Sequence, residues 1–206
     1  MAKTIVISTA EVGSSDLRRT QVTHDSQKRL GENMKTSSIR DVLSLGFLNR
    51  RETLIISGVI TSDMNALARA LGMKAEREGS SVMTINAGML REELAEGGDG
   101  GLSAVKLVGV AKPKLLIVED FGMRKFTPAE TKALAQLVTE RINKVSTIIT
   151  SPYPLEEWAA LVGASAEGKS LLRPLLVHAR QVVIGSKEQT AKKKPAPLEK
   201  AVQARG

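Results

Sequence analysis

The sequence predicts an α/β fold, a five-stranded parallel sheet with helices on both faces, and three observations carry that prediction. Short apolar, β-branched runs recur at 53–57, 81–86, 114–118, 146–150 and 180–184 with helical patterns between them, and such alternation builds a parallel sheet. The stretch Thr53–Gly72, TLIISGVITSDMNALARALG, has the strand, short loop and helix of a phosphate-binding loop. A chain of 206 residues with 42% hydrophobic content can also bury a full core, read as one domain of about 150 residues with tails.

Residues 1–37 are rich in Ser, Thr and charge and read as a flexible polar arm, with an alternating run at Thr4–Ser8 suited to an edge strand. Ile39, Val42, Leu43, Leu45, Phe47 and Leu48 place a short helix before the first core strand. Gly58 ends that strand, Ala66–Leu71 opens a helical pattern followed by Gly72, and the helix is expected from about 63 to 78, ending at Gly79. Ser81–Asn86 alternates as a strand does, and the helix Ala87–Ala95 is broken by GGDGG at 97–101. Leu102, Val105, Leu107 and Val108 form a short amphipathic piece before Pro113. KLLIVED, 114–120, looks the most buried strand and ends in two acids. Thr127 is a capping residue for a helix that starts at Pro128 and runs to about Asn143. The strand 146–150, SPYP, helices at 155–162 and 168–179 and a last strand complete a core domain of 38–186, with a basic flexible tail at 187–206.

No apolar run approaches the ~20 residues of a membrane span, and no signal-peptide pattern opens the chain. The absence of cysteine excludes disulfides and cysteine-ligated zinc and fits a reducing cytoplasm. His24 and His178 lie far apart, so a histidine metal cluster is not expected, and His178 reads as a packed helix residue. The net charge is +8; residues 187–206 carry six Lys/Arg against two Glu, or +4. A tail bearing Lys187, Lys192, Lys193, Lys194 and Lys200 suits a polyanion, most often nucleic acid. None of the five aromatic residues lies among these lysines, so the mode expected is phosphate contact without base stacking. A merely solvated end is the competing reading.

A working phosphate-binding loop needs Gly-x-x-x-x-Gly-Lys-Ser/Thr: glycines let amides close on phosphate, lysine reaches the outer phosphates and the hydroxyl holds magnesium. Here Gly58 keeps the first glycine, and Ser62 lies in the loop. Thr61 and Asp63 stand where glycines are usual, Met64 replaces the lysine and Asn65 the hydroxyl. Each lost charge-assisted bond to phosphate forfeits about 1.5–3 kcal/mol. Asp63 reads as an N-cap whose carboxylate takes the place of a phosphate on the helix amides. Exchanging Asp63→Gly, Met64→Lys and Asn65→Thr is then expected to lower stability slightly and restore some nucleotide affinity.

An apolar strand ending in Glu119-Asp120, with Phe121-Gly122 behind it, matches a Walker B element. Together with STIITS at 146–151, Glu157-Trp158, Gly163, LLVHA at 175–179 and VIGS at 183–186, it resembles IstB, the helper ATPase of certain insertion sequences. IstB is related to the DnaC helicase loaders within the AAA+ proteins, and the similarity spans about residues 39–187. The resemblance implies an AAA+-type P-loop core with the first core strand central and no sizeable C-terminal lid. It also implies ATP-dependent assembly on DNA and a role in directing a transposase or loading a replicative helicase. This sequence departs from the family's polar sensor residue at Pro152, and from an expected arginine at Pro174, with Arg173 one place early. Glu119 and Asp120 then stand as a Walker B remnant, and no cofactor is expected. Three readings follow. The first is a nucleotide-independent subunit of a mobile element, plasmid or phage that binds DNA, a partner protein or like subunits. The second is an active helper that binds ATP and magnesium, with Lys74 or Lys169 supplying the missing lysine. The third is a decayed scaffold.

Overall fold

Side chains of successive strand residues point to opposite faces of a sheet, and here both faces are apolar. The computed structural model describes residues 3–7, 36–58, 61–95 and 104–184. Its strands are β1 (Lys3–Ile7), β2 (Thr53–Gly58), β3 (Val82–Asn86), β4 (Leu115–Glu119), β5 (Ser146–Ser151) and β6 (Ala179–Ile184). Its helices are α1 (Thr36–Leu43), α2 (Gly46–Asn49), α3 (Thr61–Arg77), α4 (Ala87–Ala95), α5 (Ala104–Ala111), α6 (Pro128–Arg141), α7 (Ala159–Val162) and α8 (Ala166–His178), with a 3₁₀ turn at Leu155–Glu157. Leu54, Ile56, Leu115, Ile117 and Ile148 face one layer, against Val42, Phe47, Met64, Leu67 and Leu71 of α1–α3. Ile55, Leu116, Val118 and Ile149 face the other, against Leu90, Leu134, Leu137, Trp158 and Leu171.

All strand pairs are parallel, in the order β1-β6-β2-β5-β4-β3. The first core strand, β2, is interior between β6 and β5, as expected for an AAA+-type P-loop core. The alternating N-terminal run is found one residue earlier than expected, as the edge strand β1, from Lys3 opposite Arg180 to Ile7 opposite Ile184. Residues 8–35 of the arm and the tail from 187 lie outside the described residues, and among the described residues β6 is the last element.

Three local expectations change. The single helix expected before β2 is two, because Leu45 turns left-handed at φ 60° between α1 and α2 while its side chain stays buried. His178 closes α8 and is exposed, not packed. Helix α3 begins at Thr61, three residues before the Met64 start that capping by Asp63 requires. Asp63 is therefore the third helical residue, where its charge complements the helix dipole but it does not cap. The helix at Pro128 is capped as expected: Thr127 Oγ1 accepts from the Glu130 amide, and the Glu130 carboxylate accepts from the Thr127 amide.

Two polar clusters fasten the frame. Arg141, the last residue of α6, is buried and donates to the carbonyls of Val110, Ala111, Pro113 and Ser146 and to Thr147 Oγ1. Burial pushes its pKa down to about 10, which leaves it charged at neutral pH. At the other flank, Asp41 of α1 accepts from Arg50 and from Arg180 of β6, and Glu52 accepts from the same two arginines. The hydrogen bond from Arg50 holds the Asp41 carboxyl below its ordinary 3.8, with Arg180 adding to it against the cost of burial. A carboxylate with a depressed folded pKa stabilises above its unfolded pKa and loses that contribution as pH falls through the folded value. Asp41→Asn is thus expected to cost about 1 kcal/mol at pH 7. In urea titrations the gap to wild type should shrink below pH 3.8; a gap independent of pH would show that Asp41 acts by packing.

Candidate functional site

In open α/β sheets ligands bind beyond the carboxyl ends of the strands. Parallel pairing collects those ends on one edge here, which brings Asn86 of β3, Glu119 of β4 with Asp120 directly after it, and Thr150 of β5 together. The first turns of α3 lie over them, and Gly72 lets the helix come down. A Cβ at Gly72 would stand 2.7 Å from Ile117 Cδ1, so a side chain there would need that methyl to move aside. Gly58 has a packing reason of its own, since a Cβ at that position would stand 2.5 Å from the Ile184 carbonyl oxygen across the β2–β6 pair.

Strand alternation alone would send Glu119 and Asp120 to opposite faces. Asp120 leaves the strand at φ 61°, a left-handed conformation that Asp tolerates better than most residues. The turn lets both carboxylates reach α3. Arg69 grips Glu119 with a two-pronged pair, Nε to Oε1 and Nη2 to Oε2, each 2.6 Å. Asn65 Nδ2 donates to Asp120 Oδ1 at 2.9 Å and Asn86 Nδ2 to Asp120 Oδ2 at 2.8 Å. Thr150 Oγ1 donates to Asn65 Oδ1 at 2.6 Å and accepts from the Asp120 amide at 3.0 Å. Asn86 Oδ1 accepts from the Gly88 amide at 2.8 Å. Every oxygen of the two carboxylates therefore accepts a hydrogen bond from a side chain of this chain. Glu119 is 4% exposed, and its hydrogen bonds raise the Arg69 guanidinium above its ordinary value.

Magnesium binds through one or two carboxylates together with water and phosphate oxygens at short range. Here each of the four carboxylate oxygens already accepts a hydrogen bond from Arg69, Asn65 or Asn86, so a magnesium ion would compete with those donors, the Arg69 cation above all.

The turn after Asp120 is packed on aromatic rings. Phe121 stacks on Phe126 and Trp158 with ring centres 4.7 and 4.3 Å away, and its amide donates to the Thr150 carbonyl at 2.8 Å. Arg91, pushed down to about 10 first by burial and then by Arg124, lies 3.9 Å from the centre of the Phe126 ring. The Phe-Gly and Glu-Trp elements of the sequence thus meet in one aromatic stack behind the acids.

The other expected site residues are dispersed. Thr61 and Ser62 are the first residues of α3. Met64 is 0% exposed, packed among Leu54, Ile56 and Leu67. Lys74 lies in the last turn of α3, paired with Glu78 at 3.3 Å, so it does not replace a loop lysine at the start of that helix. Lys169 is exposed on α8, a helix packed on the opposite sheet face from α3. Pro152 directly follows β5, and Pro174 sits inside α8 beside exposed Arg173. Lys187, Lys192, Lys193, Lys194 and Lys200 lie outside the described residues. Sequence reasoning missed Arg69, Asn86 and Thr150. The available signals were the four-residue spacing of Asn65 and Arg69, which puts them on one helix face, and the position of Asn86 and Thr150 at strand ends.

Among solved structures, the fold resembles DnaI, at TM-score 0.62 and 14% identity over 90% of this chain and 97% of that one. It also resembles the DnaC helicase loader, at TM-score 0.57 and 20% identity over 82% and 95%. Among sequences, the chain is 31% identical over 140 residues to a Geobacillus stearothermophilus protein named for insertion sequence IS5376 and ATP binding. It is 25% identical over 156 residues to a Pseudomonas aeruginosa protein named for insertion sequence IS21 and ATP binding. These alignments cover 68% and 76% of this chain but 56% and 59% of the relatives. The sequence model of the IstB-like ATP binding proteins matches residues 10–196, nearly the whole chain, and the chain belongs to that family.

Proposed function

We propose that this chain is a nucleotide-independent IstB-like subunit that binds DNA, a partner protein, or both, in the service of a mobile element, plasmid or phage, and does not hydrolyse ATP. One observation carries the reading: all four carboxylate oxygens of Glu119 and Asp120 are occupied by Arg69, Asn65 and Asn86. Met64 and Asp63 at loop positions that serve phosphate when they are lysine and glycine add to it. A transposase, a replicative helicase or further copies of the chain are the partners in view, given the relatives and the fold. DNA contact is assigned to Lys187, Lys192, Lys193, Lys194 and Lys200, through phosphate and without sequence preference. The family and its named relatives favour the alternative, nucleotide binding through a non-standard loop.

Co-elution of the purified protein with duplex DNA, with and without ATP and magnesium, together with calorimetric titration of ATP, separates these readings. DNA binding that ignores ATP, with no saturable nucleotide binding, is the expected result. Truncation after Ser186 should then weaken DNA binding and flatten its salt dependence by about 0.9 in log–log slope per phosphate contact removed. Saturable binding of ATP with magnesium would overturn the nucleotide-independent reading. Unchanged affinity and slope after truncation would reduce the tail to a solvated end.

A further inference from the structure

We propose that Arg69 is a built-in plug, a covalently attached cation that stands against the acidic pair where a divalent ion would otherwise collect, and that this one side chain keeps the site closed to metal. The inference deepens the nucleotide-independent reading and rests on it.

Glu119 is a buried carboxylate, and a buried charge persists only when it is paired and hydrogen-bonded. Two unlike partners can meet that need, a metal ion or a guanidinium. The guanidinium presents two parallel N–H donors whose spacing matches a carboxylate, and Arg69 uses that match on both Glu119 oxygens. The plug is asymmetric in a way a structural core pair is not. The Arg69 side chain is 63% exposed while that of Glu119 is 5% exposed, so the arginine covers the acid from the solvent side. Beneath it the remaining groups are held without help from Arg69. Asp120 is fixed by Asn65 and Asn86, and Thr150 fixes Asn65. Taking the plug away therefore uncovers one buried carboxylate beside a second that is already positioned.

A ligand that competes with an internal occupant has its affinity reduced by the fraction of time the site is open. Coupling of this kind typically amounts to about 5- to 150-fold in affinity. Removing the guanidinium also removes its repulsion of the incoming cation. The plug thus predicts a gain of binding by deletion, an outcome that a purely stabilising salt bridge does not produce.

The test uses the full chain and Mn²⁺ alone, without nucleotide, read by electron paramagnetic resonance of the free ion and by thermal shift. Arg69→Gln and Arg69→Ala should bind Mn²⁺ at least fivefold more tightly than wild type and be stabilised by it, and Arg69→Gln combined with Glu119→Gln should lose the gain. Gln is included because it keeps a neutral donor over Glu119 if the alanine variant unfolds. Three results would overturn the plug: wild type binding Mn²⁺ as tightly as the variants, a folded Arg69→Gln with no gain, or a gain that survives Glu119→Gln. Because no nucleotide is present, these outcomes are independent of the ATP titration. Saturable ATP binding by wild type would refute the functional reading while leaving the Mn²⁺ comparison interpretable.

Discussion

Arg141→Met is expected to lower stability by about 3–5 kcal/mol, because several buried acceptors lose their donor at about 1–3 kcal/mol each. Arg141 ends α6, is 2% exposed, and holds four backbone carbonyls and one hydroxyl from two separate segments. Two of those carbonyls, at Val110 and Ala111, are in the last turn of α5, where four carbonyls lack helical partners and a cation also suits the dipole. Pro113 begins the approach to β4, and Ser146 and Thr147 open β5. Methionine fills similar space but leaves those acceptors buried without donors, and each unsatisfied group costs about 1–3 kcal/mol. Arg141→Lys should recover part of the loss, since an ammonium has three donors but cannot span the same set. Urea unfolding followed by circular dichroism measures the change. An Arg141→Met variant within 1 kcal/mol of wild type would show that water satisfies these carbonyls and that the arginine is dispensable.

Met64→Lys, the substitution that restores the side-chain type of a phosphate-binding loop, is expected to cost several kcal/mol and not to give a working loop. Met64 is 0% exposed in the apolar layer between α3 and the sheet. A lysine there places its ammonium among Leu54, Ile56 and Leu67, or is neutralised by a strongly lowered pKa. The sign with pH follows from that lowering. Below the folded pKa both states are charged and the full cost applies; as pH rises through it, the folded state releases its proton first and stability recovers. The deficit against wild type should therefore be large at pH 7 and smaller near pH 10. Met64→Leu conserves volume and should cost less than about 1.5 kcal/mol. The triple exchange Asp63→Gly, Met64→Lys, Asn65→Thr is accordingly more damaging than the sequence alone suggests, because Asn65→Thr also removes the bridge between Asp120 and Thr150. A Met64→Lys variant as stable as wild type at pH 7 would mean that the lysine reaches solvent at the loop.

Much of the fold could be read before any coordinates, because hydrophobic periodicity is local. The runs that became β2 to β6 differ from the observed strands by about a residue at either end, and β2 is interior, as the family resemblance implied. Pro128 behind Thr127 marked a helix start because capping is settled within four residues. The acids were legible as well, since an apolar strand running into Glu119-Asp120 needs no knowledge of its neighbours. Their partners were not, because they depend on distance across the fold. Arg69 meets Glu119 from 50 positions away, Thr150 meets Asn65 from 85, and Asn86 meets Asp120 from 34. Only the sheet order puts β3, β4 and β5 side by side, Gly72 gives α3 a close seat over Ile117 of β4, and only the left-handed turn at Asp120 points two adjacent carboxylates at one helix. The start of α3 at Thr61 was likewise a tertiary result. With Thr61 and Ser62 already helical, Asp63 falls inside the first turn, and Met64 joins Leu67, Ala68 and Leu71 on the buried face. What this sequence determined alone was the alternation of buried strands and helices and the residue types at the sheet's carboxyl edge. What each of those residues touches was decided by packing, because side chains far apart in the chain find partners only once the strands have been ordered.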